Sequence, residues 1–197
     1  MTEATEAHNA GDTDAALLAL LADDLDAGFV DLMRAHGRLL YSVALSVTGR
    51  RVEAEDLAAE AFLRAYRGLR EFDGIRIASL KVRPWLVTIL LNTWRNWLRD
   101  SRRRPHEVPL ERATDAPRHT PDTDELAELD EQRRELVAMI RILPDHQRIS
   151  VVLRHVAGLP IAEVAAVLGC PEGTAKSHIS RGLRRLRKLY EERREIS

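Results

Sequence analysis

Cysteine is almost absent from the chain, since Cys170 is the only one among 197 residues. One thiol cannot form a disulfide within the chain or build a cysteine-rich zinc site, and it suits a reducing compartment. The seven histidines are scattered, without a pair on one helical turn. We therefore predict no metal site and no cofactor.

Long apolar runs are also missing. No stretch approaches the roughly 20 apolar residues that a membrane-spanning helix needs, and the acidic start lacks the basic and apolar parts of a signal peptide. We expect no membrane insertion and a cytoplasmic location. The chain contains no Walker loop, G-x-S-x-G, H-E-x-x-H or dinucleotide-binding fingerprint. An enzyme therefore has little support.

Charge is abundant but segregated along the chain. Charged residues make up 31% and nearly cancel to a formal net charge of -1. No lysine or arginine precedes Arg34, whereas several aspartates and glutamates do. Basic residues concentrate at 95–104 and 176–194. Two basic runs are expected where two surfaces meet a polyanion, although either run alone could be a solvated face.

Apolar residues recur at helical spacing, which predicts an all-α fold of two small helical domains joined by an extended linker. Thr48 and Gly49 mark a break between helices, a loop opens at Phe72, and Pro84 begins the next helix. Four prolines among polar residues indicate the linker. We predict a flexible acidic amino terminus at 1–13, a first domain at 14–104, the linker at 105–124 and a second domain at 125–197.

Residues 161–186 have the pattern of a helix-turn-helix. Gly169 suits the left-handed end of the first helix, and Thr174 can cap the second. That helix would turn a basic face outward into a major groove, with Ile179, Leu183 and Leu186 inward. A basic helix packed in an ordinary bundle is the alternative. Gly182 inside it predicts a close approach to a helix or DNA, and we expect Gly182→Ala to stabilise the isolated second domain.

The stretch 143–181 resembles region four of sigma-70 family factors. It is also similar to the helix-turn-helix of response-regulator activators, so the amino-terminal half decides between them. Residues 53–69 resemble the polymerase-binding helix of region two, and residues 83–99 resemble the helix that opens and reads the minus-10 element. The lack of a folded region three is typical of the extracytoplasmic-function class.

This resemblance implies a sigma factor that binds core RNA polymerase, recognises minus-35 and minus-10 promoter elements and promotes DNA melting. The implied partners are the beta-prime coiled coil and beta flap of the polymerase and promoter DNA, both duplex and single-stranded. An anti-sigma factor is a further candidate partner. The main rival is a two-domain transcriptional activator that binds duplex DNA without polymerase.

The resemblance also assigns site residues. Eight are assigned to the minus-35 element: Thr174, Lys176, Ser177, His178, Ser180, Arg181, Arg184 and Arg185. Seven are assigned to the minus-10 element: Phe72, Asn92, Trp94, Arg95, Asn96, Trp97 and Arg99. Four are assigned to polymerase docking: Asp56, Leu57, Glu60 and Phe62.

Some of these assignments have ordinary structural alternatives. Phe62 could be a buried core residue. Trp94 and Trp97 could either be buried in the core or stack on the bases of a separated DNA strand. Two departures from the family pattern also matter. Ala59 stands where relatives usually have glutamine, which suggests altered docking. The segment from Phe72 to Trp85 is longer than usual, which puts the minus-10 preference in doubt.

Overall fold

The computed structural model describes residues 14–103 and 124–194. Those residues are helical and contain no strand, which confirms the predicted all-α class. In chain order the helices are α1 (14–23), α2 (Leu25–Thr48), α3 (Arg51–Leu69), α4 (Gly74–Ala78), α5 (Val82–Arg103), α6 (Asp124–Ile142), α7 (Asp145–His155), α8 (Ile161–Leu168) and α9 (Glu172–Arg194). The predicted amino-terminal segment and nearly all of the linker lie outside the described residues.

Helices α1 to α5 form the first helical group. Asp24 caps α2 by accepting a hydrogen bond from the Ala27 N–H at 3.0 Å. Leu57 of α3 and Leu86 and Leu90 of α5 are fully buried. Each such leucine stabilises the group by about 1.5–3 kcal/mol relative to an exposed side chain. This packing holds the exposed faces of α3 and α5 in fixed positions.

The predicted break at Gly49 is confirmed, because this residue has φ 73° and its N–H donates to the Leu45 carbonyl. The segment after Phe72 is not the continuous loop that we predicted. It contains α4, where Asp73 accepts a hydrogen bond from the Arg76 N–H at 2.7 Å. Helix α5 starts at Val82, so Pro84 lies inside its first turn.

Helices α7, α8 and α9 pack as the predicted helix-turn-helix with one preceding helix, and Gly169 ends α8 in the left-handed conformation at φ 65°. Two details of the prediction were wrong. Helix α9 begins at Glu172, so Thr174 lies in its first turn and does not cap it. Leu183 is 41% exposed. The inward position belongs to Gly182, three residues after Ile179, because a helix brings residues three or four apart onto one face.

The two helical groups pack against each other. Their buried residues form one continuous apolar core that includes Leu86 of α5 and Leu153 of α7. Between α4 and α5, Lys81 forms an ion pair with Glu163 of α8 at 2.9 Å. We call this packing the closed arrangement, and it bears directly on which predicted site residues are accessible.

Candidate nucleic-acid and polymerase interfaces

Helix α9 presents a long polar and basic face to solvent. Of the eight residues predicted for the minus-35 element, seven are exposed: Thr174, Lys176, Ser177, Ser180, Arg181, Arg184 and Arg185. Arginine and lysine side chains on such a face can reach base edges or phosphates in a major groove, and hydroxyls can contact either. The Ser177 hydroxyl already donates to the Gly173 carbonyl at 2.8 Å.

His178 departs from this pattern because it is half-buried. Its ring stacks on His146 of α7 with 5.6 Å between the ring centroids. Its Nδ1 atom is buried and has no hydrogen-bond partner among the described residues. His178 therefore contacts the helix behind α9 more than it faces outward.

A second polar face lies on α5. Asn92 is exposed and accepts a hydrogen bond from the Arg95 guanidinium at 3.1 Å. One turn later, the Arg99 guanidinium donates to the Asn96 amide oxygen. These four residues occupy positions i, i+3, i+4 and i+7 of the helix and so share one side of it. The structure thus brings four of the seven predicted minus-10 residues together.

The two tryptophans of α5 that were predicted for the minus-10 element differ in accessibility. Trp97 is half-buried, whereas Trp94 is only 6% exposed. The Arg148 guanidinium of α7 lies 5.5 Å from the centre of the Trp94 ring. In the closed arrangement Trp94 is therefore a core residue, and its ring is not accessible to a stacked base.

Phe72 precedes α5 in the chain and packs beside Trp85, near the amino-terminal end of that helix. Their ring centroids are 5.9 Å apart, and the Arg76 guanidinium of α4 stacks 3.7 Å above the Phe72 ring. The cation–π contact holds the short helix α4 against this ring. Helix α4 therefore places the Arg76 guanidinium over one side of the Phe72 ring.

The outer face of α3 combines acidic and apolar side chains. Asp56 is exposed, and the Glu60 carboxylate pairs with Arg64 at 2.7 Å. Leu63 is 44% exposed on the same face. Leu57 is fully buried and supports α3 from beneath, and Phe62 packs its edge on Phe29 with centroids 6.2 Å apart. Leu63 is an accessible apolar residue that was not among the predicted docking residues. Its spacing of seven residues from Asp56 would have placed it on the same face of the helix.

Comparison with known proteins identifies these helical groups. The family model described as Sigma-70 region 2 matches residues 32–104, and the one described as Sigma-70, region 4 matches residues 133–186. The chain belongs to the sigma-70 family, in its extracytoplasmic-function class.

Several sigma factors resemble this one. It is 36% identical over 142 residues to the RNA polymerase sigma-E factor of Streptomyces avermitilis, covering 72% of this chain and 73% of that protein. It is 29% identical over 157 residues to the ECF RNA polymerase sigma factor SigE of Mycolicibacterium smegmatis, covering 80% of this chain but 59% of that protein. A solved structure of CnrH in complex with the cytosolic domain of CnrY has TM-score 0.64 and 25% identity, and the match covers 90% of this chain and 97% of that chain.

Two buried or bonded groups of region 2 have shifted pKa values. Burial lowers the pKa of His36, and nearby Asp14 partly opposes this shift. The Tyr66 hydroxyl donates to the Asp26 carboxylate at 2.6 Å, which raises the pKa of Tyr66. Neither group lies on the α5 or α9 faces. Within the described ranges no cluster of three potential metal ligands occurs, and no helix there has the length and apolar character to span a bilayer.

The contacts between regions 2 and 4 could not be predicted from the sequence. Arg148 covers Trp94, and Lys81 pairs with Glu163 although 82 positions separate them. No local spacing indicates such contacts, because helical periodicity relates only residues within a few turns.

Proposed function

We propose that this sigma factor binds core RNA polymerase, recognises the minus-35 element through α9 and the minus-10 element through α5, and promotes melting of the latter. The observation that carries this proposal is the presence of two outward polar faces, on α9 and α5, in a chain that matches both sigma regions. Its action on polymerase would take place in the cytoplasm. No catalytic chemistry is proposed.

Polymerase docking is assigned to α3 and region 4. Asp56 and Glu60 supply negative charge around the exposed Leu63 side chain, a combination that suits a helical coiled coil with basic and apolar groups. Leu57 and Phe62 would act by holding α3 in place. We propose the beta-prime coiled coil as the partner of α3 and the beta flap as the partner of region 4.

Melting would draw its energy from binding. Unstacking costs roughly a few kcal/mol per base step, and capture of separated bases can offset this cost. Asn92, Arg95, Asn96 and Arg99 can bind exposed base edges and phosphates of the separated strand. Trp94 can join them only if Arg148 and α7 move away, so opening of the closed arrangement would precede its use.

An anti-sigma factor is a further proposed partner. The solved relatives include CnrH with the cytosolic domain of CnrY, and the sigma factor RpoE of Bartonella quintana with the anti-sigma factor NepR. The second has TM-score 0.63 and 24% identity, and the match covers 85% of this chain and 97% of that chain, which supports only the shared fold. We propose that an anti-sigma factor likewise binds this chain and thereby restrains it.

The Asn92→Ala variant tests the melting step. The amide would act only after the strands part, so its loss should lower open-complex formation and leave core-polymerase and closed-promoter binding nearly unchanged. Permanganate reactivity of unpaired thymines on duplex and pre-melted bubble templates measures the difference. We expect reduced reactivity on the duplex and recovery on the bubble.

Gln132→Ala is the matched control, because Gln132 is an exposed amide on a different helix, α6. It should behave as the native chain on both templates. Equal duplex reactivity for Asn92→Ala and the native chain would remove Asn92 from the melting site.

A transcriptional activator that never enters polymerase is the competing function. Comigration of the purified chain with core polymerase, in the absence of DNA, separates the two. We expect a stable complex that Glu60→Lys weakens, because the substitution reverses the charge of the docking face. A chain that binds duplex promoter DNA but not polymerase would favour the activator.

A further inference from the structure

The Phe72 ring carries a cation on one side. The Arg76 Cζ atom lies 3.7 Å from the centre of the ring. That distance is van der Waals contact, and it places the guanidinium over the flat face of the ring, because the ring's own atoms would hold an approach from the edge further away. A base that was to stack on this side of Phe72 would first have to displace Arg76.

The backbone of Arg76 is held at both of its polar groups. Its N–H donates to the Asp73 carboxylate at 2.7 Å, and its carbonyl accepts a hydrogen bond from the Ser79 hydroxyl at 3.1 Å. Ile77, the next residue of α4, is only 5% exposed and anchors the short helix in the core. These contacts fix where the Arg76 side chain begins, and the Phe72 ring fixes where it ends.

The outer side of the Arg76 guanidinium is not engaged. The residue is exposed, and among the described residues its guanidinium has neither a hydrogen bond nor an ion pair. A guanidinium group is planar and delocalised, and it stacks on the faces of flat rings. With one side against Phe72, the opposite side and the N–H donors of Arg76 are open to a second flat group.

Arg76 lies near the amino-terminal end of α5, and Trp85 links it to the polar side of that helix. The Phe72 and Trp85 ring centroids are 5.9 Å apart. Trp85 precedes Asn92 by seven residues, so the two share one side of α5 and are about 10 Å apart along its axis. Since one stacked nucleotide spans about 3.4 Å, a separated strand that contacts Asn92 can place one of its next few bases at Arg76.

Region 4 restricts this path in the closed arrangement. A cleft of about 450 Å³ is lined by Trp85 and Thr88 of α5 and by Ala162 and Ala166 of α8. Helix α8 therefore stands opposite the first turns of α5, and a strand can run along them only after the closed arrangement opens. For this reason the site is tested in the holoenzyme and not in the free chain.

We propose that Arg76 is a base-binding residue of the minus-10 site, and that one unpaired base of the separated strand stacks on its guanidinium. Bases stack on arginine guanidinium planes as well as on aromatic rings, and the positive charge also attracts the phosphates of the strand. Phe72 is then a positioning residue that holds the guanidinium in place. The inference rests on the proposed function, since such a base becomes available only when the minus-10 element is melted.

Forked promoter templates with a single-stranded minus-10 element test this assignment. In each template one nucleotide of the element is made abasic, and the affinity of the holoenzyme is measured at fixed salt. For the native chain, loss of the base that stacks on Arg76 should weaken binding about fivefold or more. For Arg76→Ala, loss of the same base should change the affinity by less than about twofold, because its stacking partner is already gone. The variant should keep its sensitivity at every other position.

Arg76→Lys separates stacking from charge. Lysine keeps the positive charge but has no planar group, so this variant should lose the base dependence at the same position as Arg76→Ala. Phe72→Leu removes the ring that holds the guanidinium and should reduce the dependence at that position too. Arg34→Ala is the matched control, because Arg34 is an exposed arginine on a different helix, α2. It should keep the native dependence at every position.

Three results would overturn the proposal. If Arg76→Ala keeps or increases the dependence on every base, the base lies elsewhere or on the uncovered Phe72 ring. If Arg76→Lys behaves as the native chain, Arg76 acts by its charge on a phosphate. If Arg34→Ala loses the same dependence, the effect is a general one of charge. Circular dichroism checks that each variant folds, and the two Arg76 variants decide the test if Phe72→Leu unfolds.

Core polymerase without the sigma factor separates this proposal from the proposed function. We expect it to bind the forked templates much more weakly than the holoenzyme does. Equal binding by core polymerase and holoenzyme would overturn the proposed function. Tighter binding by the holoenzyme, with unaltered base dependence in both Arg76 variants, would overturn only the role of Arg76.

Discussion

Replacing Gly182 by alanine tests how closely α9 packs on α7. A Cβ atom at this position would lie 2.6 Å from the Val151 Cγ2 and 3.3 Å from the Gln147 carbonyl oxygen. Both contacts come from α7, which is buried against the core at Val151 and at Ser150 beside it. The glycine therefore allows the close helix approach that its position inside α9 predicted.

The close contacts at Gly182 support a stability change opposite to the one that we expected from the sequence. Alanine in a helix interior is favoured over glycine by about 1 kcal/mol. Overpacking a filled core costs about 1–3 kcal/mol, and here one of the crowded atoms belongs to the backbone and yields little. We predict that Gly182→Ala lowers the free energy of unfolding by about 1 kcal/mol, the difference between these effects.

Thermal and urea denaturation of the full chain measure this change. A loss of about 1 kcal/mol corresponds to a fall of about 2–4 °C in Tm for a chain of this size. The Val151→Ala background supplies the control, because it removes the crowded Cγ2 atom. In that background Gly182→Ala should be neutral or stabilising, with a coupling energy of about 1 kcal/mol or more.

Two results would refute this reasoning. If Gly182→Ala raised the Tm of the native chain, helix propensity would outweigh the close contact. If Val151→Ala failed to relieve the cost, the crowding would lie elsewhere. In either case Gly182 would not be explained by its packing on α7.

Three other changes test separate parts of the molecule. Burial lowers the pKa of His36, so its imidazole takes up a proton at a higher pH in the unfolded chain than in the folded one. The free energy of unfolding should therefore fall as the pH drops below about 6.5. Urea unfolding between pH 7.5 and 5.5 should show a shallower fall for His36→Gln than for the native chain. Lys81→Glu should favour opening of the closed arrangement, because it replaces the ion pair with Glu163, worth about 0–1 kcal/mol, by repulsion between two carboxylates. The radius of gyration should rise in Lys81→Glu and return to the native value in Lys81→Glu/Glu163→Lys. Arg181→Ala should weaken binding of the holoenzyme to a matched minus-35 sequence by about 1–3 kcal/mol if the side chain reads a base; unchanged affinity on matched and scrambled sequences at fixed salt would remove Arg181 from the site.

Local features were predictable because they depend on neighbours along the chain. Helical spacing of apolar residues predicted most of the helices, and Gly49 and Gly169 marked two helix ends that the structure confirms. The short helix α4 escaped prediction, since five residues are too few to show a periodicity. Gly182, and not Leu183, faces inward because α7 packs against that side of α9. The sequence of α9 alone does not show which side α7 covers.

By itself, the sequence determined the helical class, the helix-turn-helix and the two segments that carry the polar faces of α5 and α9. These depend on periodicity and side-chain chemistry, which are written in consecutive residues. Only the tertiary structure decided that Trp94 lies beneath Arg148 and that region 4 places Arg141 over Gly49. Such contacts depend on how two separately folded surfaces fit together in space, and no spacing along one chain records that fit.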